Sequence, residues 1–549
     1  SPQAYIRDRL ASGTKIITID PRAHETARRS TLHIQPRPGH DVAILAGMIR
    51  VILAEDLHDH VFVAENVDGL EALRAAVEPF TPERVAARAD IAAADLIAAA
   101  RMFAQARRGY AIAGTGPSMG TAQGTVFEYL VLALDTLCGH YLRAGEAVVT
   151  PGTLIGAPTF KAQAQGPIQA FGYGRKLRFR GFTETLGGLP TSAMAEEILT
   201  PGEGQVRALF VVGGNPGAAV TDQLQMLEAL ESLDLLVTTD IHMTSTARRA
   251  HYNIAPKMQL ETVAMRGDHP PNVYANAHMG MAAAYAQYAP VLVDPPEGSE
   301  VIEEWELYYR LAQKLGLQLR LNPNHTFHSS PPPKPGRQWP AIDMTHPPTT
   351  EDILAMMAGR ARVPLDEVKR HPSGALFPPD PPVLVQPKDE GWTEKFDLGN
   401  PLMMRDIAEA FATVDVAGEL AEGYPFRLLC RRQHQVNSSL QHPAIDRGKP
   451  GNPAFMHPAD MARLGIADGD LVRLSSSRAA IPAVAMADAA LRPGTISMAH
   501  LFGDKPELDS QVREIGAPTN RLLWNDRVYE RYSGQPLMSN VPVNVRPMG

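Results

Sequence analysis

Ala208-Leu209-Phe210-Val211-Val212-Gly213-Gly214-Asn215-Pro216 decides the fold: an apolar run, a Gly-rich break, and a proline placed to begin a helix. A helix-like stretch at 222–233 and a second apolar run, Leu235-Leu236-Val237, follow and end in Asp240. Runs that are apolar on both faces suit parallel strands covered by helices on each side. An Asp at a strand's carboxyl end stands at the crevice where open α/β sheets bind nucleotides. The same order occurs once more, cut off at its start. A helix-like stretch at 4–10 breaks at Gly13, Ile16-Ile17-Thr18-Ile19 forms the strand, and Asp20 ends it. Laid on the later copy, Ser1 falls near Val220, so the first strand and its Gly-rich turn have no counterpart. The chain is therefore expected to begin inside a domain.

Composition narrows the class. The 549 residues are 44% hydrophobic and 20% charged, which allows several cores in roughly three or four domains. The net charge of -8 leaves no basic surplus to neutralise phosphates, so no nucleic-acid partner is expected. Two cysteines, Cys138 and Cys430, exclude a disulfide framework and any four-cysteine metal site within these residues. The 18 histidines show no HExxH or paired spacing, so no metal ligand is expected among them. No apolar run approaches the ~20 residues of a membrane helix.

Four regions follow from the punctuation. Residues 1–205 read as an αβα domain, with helices at 42–54, 90–105 and 126–137, a strand at 110–113, and loops with short elements from 151. Residues 206–320 form a second αβα domain, closing with a helix at 301–315 whose Trp305, Tyr308, Ala312 and Leu315 share a face. Residues 321–415 are a Pro-rich connection carrying short helices at 351–359 and 364–370. Residues 416–549 alternate as half-buried strands at 426–430, 471–476, 481–486 and 495–498, with one short helix starting at Pro458, and read as a small β-barrel.

Asp20 and Asp240 carry the sharpest chemistry. A carboxylate accepts from both N1–H and the exocyclic amine of guanine, a bidentate match that adenine lacks, and its charge strengthens each bond. The plain alternative is that each caps the following turn. Two copies in equivalent places weigh against it. The amides of Gly213-Gly214-Asn215 can approach a pyrophosphate at a helix start, but this is no GxGxxG fingerprint, which counts against a nicotinamide domain. In Pro38-Gly39-His40-Asp41, Asp41 as an N-cap and Asp41 as a ligand contact are equally weighted. Cys138 and Cys430 read as small core residues.

Lys15-Ile16-Ile17-Thr18-Ile19-Asp20-Pro21-Arg22 with Thr26-Ala27 resembles the guanine-dinucleotide segment of molybdopterin oxidoreductases of the dimethyl sulfoxide reductase family. Pro38-Gly39-His40-Asp41 is similar to the family's Pro-Gly-Thr-Asp turn, with His40 in place of Thr. Residues 208–216 with Asp240 resemble the half-site for a second dinucleotide. His457-Pro458-Ala459-Asp460 through Gly469-Asp470, Arg492-Pro493-Gly494, Asn520 and Ser533-Gly534 resemble its C-terminal barrel. Two departures concern the substrate and not the cofactor: Thr246-Ala247-Arg248-Arg249-Ala250-His251, where many members have Thr-Ala-x-x-Ala-Asp, and the barrel entry at 431–438.

The resemblance implies two αβα domains and a double-psi-type barrel holding two molybdopterin guanine dinucleotides around molybdenum or tungsten. Carried over by position, Asp20, Arg22, Gly39 and Asp41 hold one dinucleotide, and Gly214, Asn215 and Asp240 the other. Arg432, His434, Asn437, Ser438 and Asn520 reach the pterins from the barrel. It further implies a [4Fe–4S] cluster and a protein metal ligand in a preceding segment, a small-molecule substrate, and an electron-transfer partner. The expected location is cytoplasmic, or periplasmic if a preceding segment carries a twin-arginine signal. The function expected is two-electron oxidation or oxygen-atom transfer. The alternative is a non-catalytic scaffold that kept the fold.

Overall fold

The computed structural model describes every residue except 1, 149–158, 187, 268–284, 322–337, 360, 379–382, 414–417, 434–450 and 549. In the first unit the helix Pro2–Ala11 leads into β1 (Ile17–Ile19), which pairs in parallel with β2 (Leu32–Ile34). The helix α1 (Asp41–Ala54) follows, with residues 42–49 and 51–53 all buried. A helix apolar all round belongs inside a core, and this one is wrapped by the helices Pro82–Ala89, Ala93–Ala104 and Gly124–Leu137. Gly47 permits that closeness, since a Cβ there would meet Val85 at 3.0 Å and Leu96 at 3.1 Å. After α1 the chain turns into α2 (His60–Asn66), capped by Asp59, whose carboxylate accepts from the Phe62 N–H.

The strand expected at 110–113 is extended but belongs to no ladder. Tyr110 and Ile112 are 63% and 65% exposed, and the Ala111 N–H donates to the Asp135 carboxylate instead of a strand. No described strand lies beside it to pair.

The second unit is a three-stranded parallel sheet. β3 (Ala208–Val212) and β5 (Tyr252–Ile254) flank β4 (Leu235–Thr239), with Ala208 opposite Leu235 and Val212 opposite Thr239. The helix Gln223–Ser232 links the first two strands and buries Met226, Ala229 and Leu230 against them. The closing helix is Glu304–Lys314. Its buried face is Tyr309 and Ala312, while Tyr308 and Leu315 are 36% and 69% exposed. One position turns a helix by ~100°, so taking Tyr308 for Tyr309 rotated the expected face outward.

The connection expected over 321–415 holds the short helices Thr350–Ala358 and Leu365–Lys369. Its Pro331–Pro335 stretch lies outside the described residues. The connection does not run on to 415, however. Phe396–Asp397 pairs with Val67–Asp68, and the helix Pro401–Ala412 sends Met403, Ile407 and Ala410 into the first unit's core. Asn400 caps that helix, accepting from the N–H groups of Leu402 and Met403.

The C-terminal barrel is closed and six-stranded. Its strands are β6 (Phe426–Cys430), β7 (Ala454–Met456), β8 (Leu471–Ser475), β9 (Ala480–Ala487), β10 (Thr495–Met498) and β11 (Val541–Pro547), in the order β6-β10-β7-β9-β8-β11. β6 with β10 and β7 with β9 run parallel. The expected helix Pro458–Leu464 ends at Gly465, whose φ of 67° only glycine adopts freely. Among the described residues no helix is long and apolar enough to cross a membrane.

Candidate cofactor site

The two Asp-ended strands superimpose in their hydrogen bonds. The Asp20 N–H donates to the Ile34 carbonyl at 3.1 Å, and that of Asp240 to the Ile254 carbonyl at 3.3 Å. Asp20 Oδ1 accepts from the Arg22 N–H at 2.7 Å, and Asp240 Oδ1 from the His242 N–H at 3.1 Å. Each carboxylate thus caps its own turn with one oxygen. Short 3₁₀ turns follow at Ala27–Arg29 and Ala247–Arg249. Both carry the same four residues, Thr26-Ala27-Arg28-Arg29 and Thr246-Ala247-Arg248-Arg249, at the same distance from the Asp. That exact repetition was available in the sequence and strengthens the duplication more than the apolar runs do.

In the second half-site Gly213 has φ +54° and an added Cβ there would meet nothing within 4 Å, while its N–H donates to the Thr239 carbonyl at 2.9 Å. Gly214 lies next to it with more around it, a Cβ meeting the Val211 side chain at 3.5 Å, an ordinary contact. Asn215 Oδ1 accepts from Ser245 Oγ at 2.8 Å and from both the N–H and the Oγ1 of Thr246, at 3.2 and 2.8 Å. Asn215 therefore ties the Gly-rich turn to the Thr-Ala-Arg-Arg turn, and its carbonyl oxygen is fully occupied by protein. Gly217 must be glycine, because a Cβ would sit 2.9 Å from Ser245 Oγ.

In the first half-site Gly39 has φ +85°. The N-cap is His40, and Asp41 is the first helical residue. Its carboxyl is enclosed by neighbouring atoms although part of the residue still faces solvent. Burial, reinforced by Asp20 and opposed by a backbone hydrogen bond, pushes its pKa up from 3.8 to about 6. Asp41 lines a cavity of about 720 Å³ together with Ile17 and Ile19 of β1, Ile44, Phe127 and residues 109–114. In the second unit β4 has a strand on each side. Among the described residues β1 pairs only with β2, and its residues line this cavity.

The barrel grips both half-sites. Arg22 Nε donates to Asp488 Oδ2 at 3.1 Å, and Arg431, stacked 3.7 Å above the Phe455 ring, donates to the same oxygen at 2.9 Å. Arg22 is thus anchored to the barrel through one nitrogen of its guanidinium. On the other side Arg478 forms a two-pronged pair with Asp222 at 2.8 Å for each bond, and Arg248 pairs with Asp504. Arg521 Nε donates to Gln223 Oε1 at 2.8 Å.

A cavity of about 170 Å³ lies where these pieces meet, lined by Thr115, Ala219, Cys430, Arg432, His500 and Asn520 among others. Asn520 is 2% exposed. Its Nδ2 donates to the Val220 carbonyl at 2.8 Å, while its Oδ1 is buried without a hydrogen-bond partner among the described residues. A buried orphan acceptor costs about 1–3 kcal/mol, so this oxygen awaits a donor. Cys430 Sγ lies 3.0 Å from His500 Nδ1. Burial pushes the Cys430 thiol up and the His500 imidazole down, the latter helped by Arg432.

The structure thus brings Arg432 and Asn520 together, and keeps Asp20 with Asp41 in one half-site and Gly214, Asn215 and Asp240 in the other. His434, Asn437 and Ser438 lie outside the described residues. Cys430, read as a core residue, lines the cavity, whereas Cys138 is buried as expected. His500 and Thr115 carried no sequence signal, being single residues brought in by distant elements.

The molybdopterin oxidoreductase family matches residues 2–259, and the molydopterin dinucleotide binding domain matches residues 428–542. The chain is 25% identical over 525 residues to a formate dehydrogenase subunit alpha from Methanocaldococcus jannaschii, covering 89% of this chain and 68% of the relative. It is 27% identical over 327 residues to formate dehydrogenase H from Escherichia coli, covering 57% of this chain and 42% of the relative. It is 24% identical over 525 residues to the dimethyl sulfoxide/trimethylamine N-oxide reductase of Rhodobacter capsulatus, covering 86% and 59%. Acetylene hydratase from Pelobacter acetylenicus shares the fold, with TM-score 0.69 at 18% identity over 98% of this chain and 75% of that one. The chain spans between 42% and 68% of the length of these three curated relatives. With two matched regions in this order, repeated half-sites and a barrel clamped on both, the chain belongs to the molybdopterin oxidoreductases of the dimethyl sulfoxide reductase family.

Proposed function

We propose that this chain holds two molybdopterin guanine dinucleotides, one in each half-site, and serves a two-electron oxidation or oxygen-atom transfer on a small substrate. When bound, the pterins and their molybdenum or tungsten supply the redox chemistry. The protein's part is to hold, orient and enclose them. Asp20 and Asp240 present carboxylates for the guanine edges, and the lack of side chains at Gly213 and Gly214 lets a pyrophosphate approach the turn. Asn520 Oδ1 and Arg432 offer an acceptor and a fork of donors at the central cavity. At about 170 Å³ that cavity is below the ~300–1,000 Å³ of a whole small-molecule site, so it takes one ring of such a ligand.

The observation that carries the reading is the paired arrangement: two half-sites with the same carboxylate geometry, both joined to one barrel. An iron–sulfur cluster of four cysteines needs ligands beyond Cys138 and Cys430. Electrons pass to or from a partner protein. The formate dehydrogenases among the relatives make formate the first substrate to test. The test is anaerobic purification with assay of molybdenum, tungsten and guanine nucleotide, followed by formate-dependent dye reduction. Metal with two guanine nucleotides per chain supports the reading. Protein that takes up neither during expression with cofactor supplied contradicts it and restores the scaffold alternative.

A further inference from the structure

We propose that Asp56, His58 and His60 form a binding site for a divalent transition-metal ion of the zinc class, remote from the pterin cavity. Asp56 and His58 lie in the turn between α1 and α2 and His60 opens α2, in the sequence Glu55-Asp56-Leu57-His58-Asp59-His60. Asp56 takes a left-handed φ of 56°, and the spacing of two between these residues differs from the helical spacings in which histidine metal sites are usually sought. One donor atom from each residue lies within 4.8 Å of the others.

The two separations to the carboxylate are those a metal requires. His60 Nε2 is 3.2 Å and His58 Nδ1 is 3.6 Å from the same oxygen, Asp56 Oδ1. Four ligands at bond lengths of about 2.0–2.1 Å around a tetrahedral zinc stand roughly 3.3 Å apart, between these two values. Three protein donors leave one position for water.

A second observation points to the same ion. His58 is 7% exposed, and its Nδ1 is fully buried with no hydrogen-bond partner among the described residues. An imidazole nitrogen buried beside a carboxylate yet not hydrogen-bonded to it is costly unless something bridges the two. The two imidazole rings stand side by side, their centroids 4.1 Å apart. Two neutral rings supply the lone pairs a cation takes. Asp59 is not a ligand: its oxygens accept from the Phe62 N–H at 2.9 Å and from Arg143 at 3.0 Å. His60 and Asp56 are largely exposed, at 60% and 70% of their side chains, so an ion has a path in.

The test uses the tag-free full chain, treated with chelator and titrated with cobalt(II) and then zinc(II). The readout is visible absorption and calorimetry, independent of any catalytic activity. One cobalt per chain, with the strong absorption of a four-coordinate ion and displacement by zinc, is expected. His60→Ala and Asp56→Asn, both at exposed side chains and so harmless to folding, should each weaken zinc by at least the roughly tenfold that loss of even an outer-shell partner costs. His371→Ala, at an exposed histidine elsewhere, should change nothing. Absence of a saturable one-to-one site overturns the proposal, as does affinity unchanged in His60→Ala and Asp56→Asn.

Discussion

The first half-site meets the barrel through Arg22 and Asp488, whose side chains are 28% and 14% exposed. The second meets it through Arg478 and Asp222, at 23% and 6%. The local backbone around Asp20 and Asp240 is the same, yet the attachments differ in kind. Asp488 is shared by two arginines, so losing one leaves it paired. Asp222 has Arg478 as its bidentate partner and also caps a helix, accepting from the Gln225 N–H. A duplicated frame thus repeats one carboxylate geometry, while burial and sharing of charge decide how firmly each half is held.

The largest effect should come from Arg478→Ala, which leaves the Asp222 carboxylate buried without its charge partner. Breaking such a pair from one side costs about 3 kcal/mol or more, read as a shift in the urea midpoint of the barrel transition. A cost no greater than that of Arg22→Ala would erase the contrast between the halves.

Asp41→Asn should act in the opposite direction. The folded pKa of about 6 lies above the unfolded 3.8, so the folded chain binds the proton more tightly. Stability from this group is full below about 3.8, falls as pH rises towards about 6, and is flat above that. Removing the charge should therefore raise stability at neutral pH, by an amount on the order of 1–3 kcal/mol, and should flatten urea midpoints between those pH values. Unchanged pH dependence would show that Asp41 is better solvated than its surroundings indicate.

Arg22→Ala should cost the least, about 1 kcal/mol, because Arg431 continues to hold Asp488. Midpoints of the single variants and of Arg22→Ala with Arg431→Ala check this. The double variant should lose more than the two singles together.

Much of this contrast was beyond the sequence. Apolar runs and the Asp that ends each of them mark both half-sites, because a parallel strand buried on two faces writes itself as consecutive β-branched and aliphatic residues. The barrel was legible for the same reason, through alternation in Leu471–Ser475 and the proline-to-glycine helix Pro458–Leu464. What joins the units was not legible. Asp222 and Arg478 are far apart in the chain, and nothing local in either residue announces the other. The helix Pro401–Ala412 was hidden by the prolines before it, and its place in the first core rests on contacts with distant helices. The strand expected at 110–113 failed for the converse reason: local propensity was right, but pairing is a tertiary event.

The central claim is that Asp20 and Asp240 head two equivalent half-sites, and it is tested most directly by counting guanine nucleotide released per chain. The wild-type protein should release two. Asp20→Ala and Asp240→Ala should each release close to one, since a lost charge-assisted pair costs about 1.5–3 kcal/mol, and the double variant should release almost none. Two guanines retained by either single variant would contradict the account.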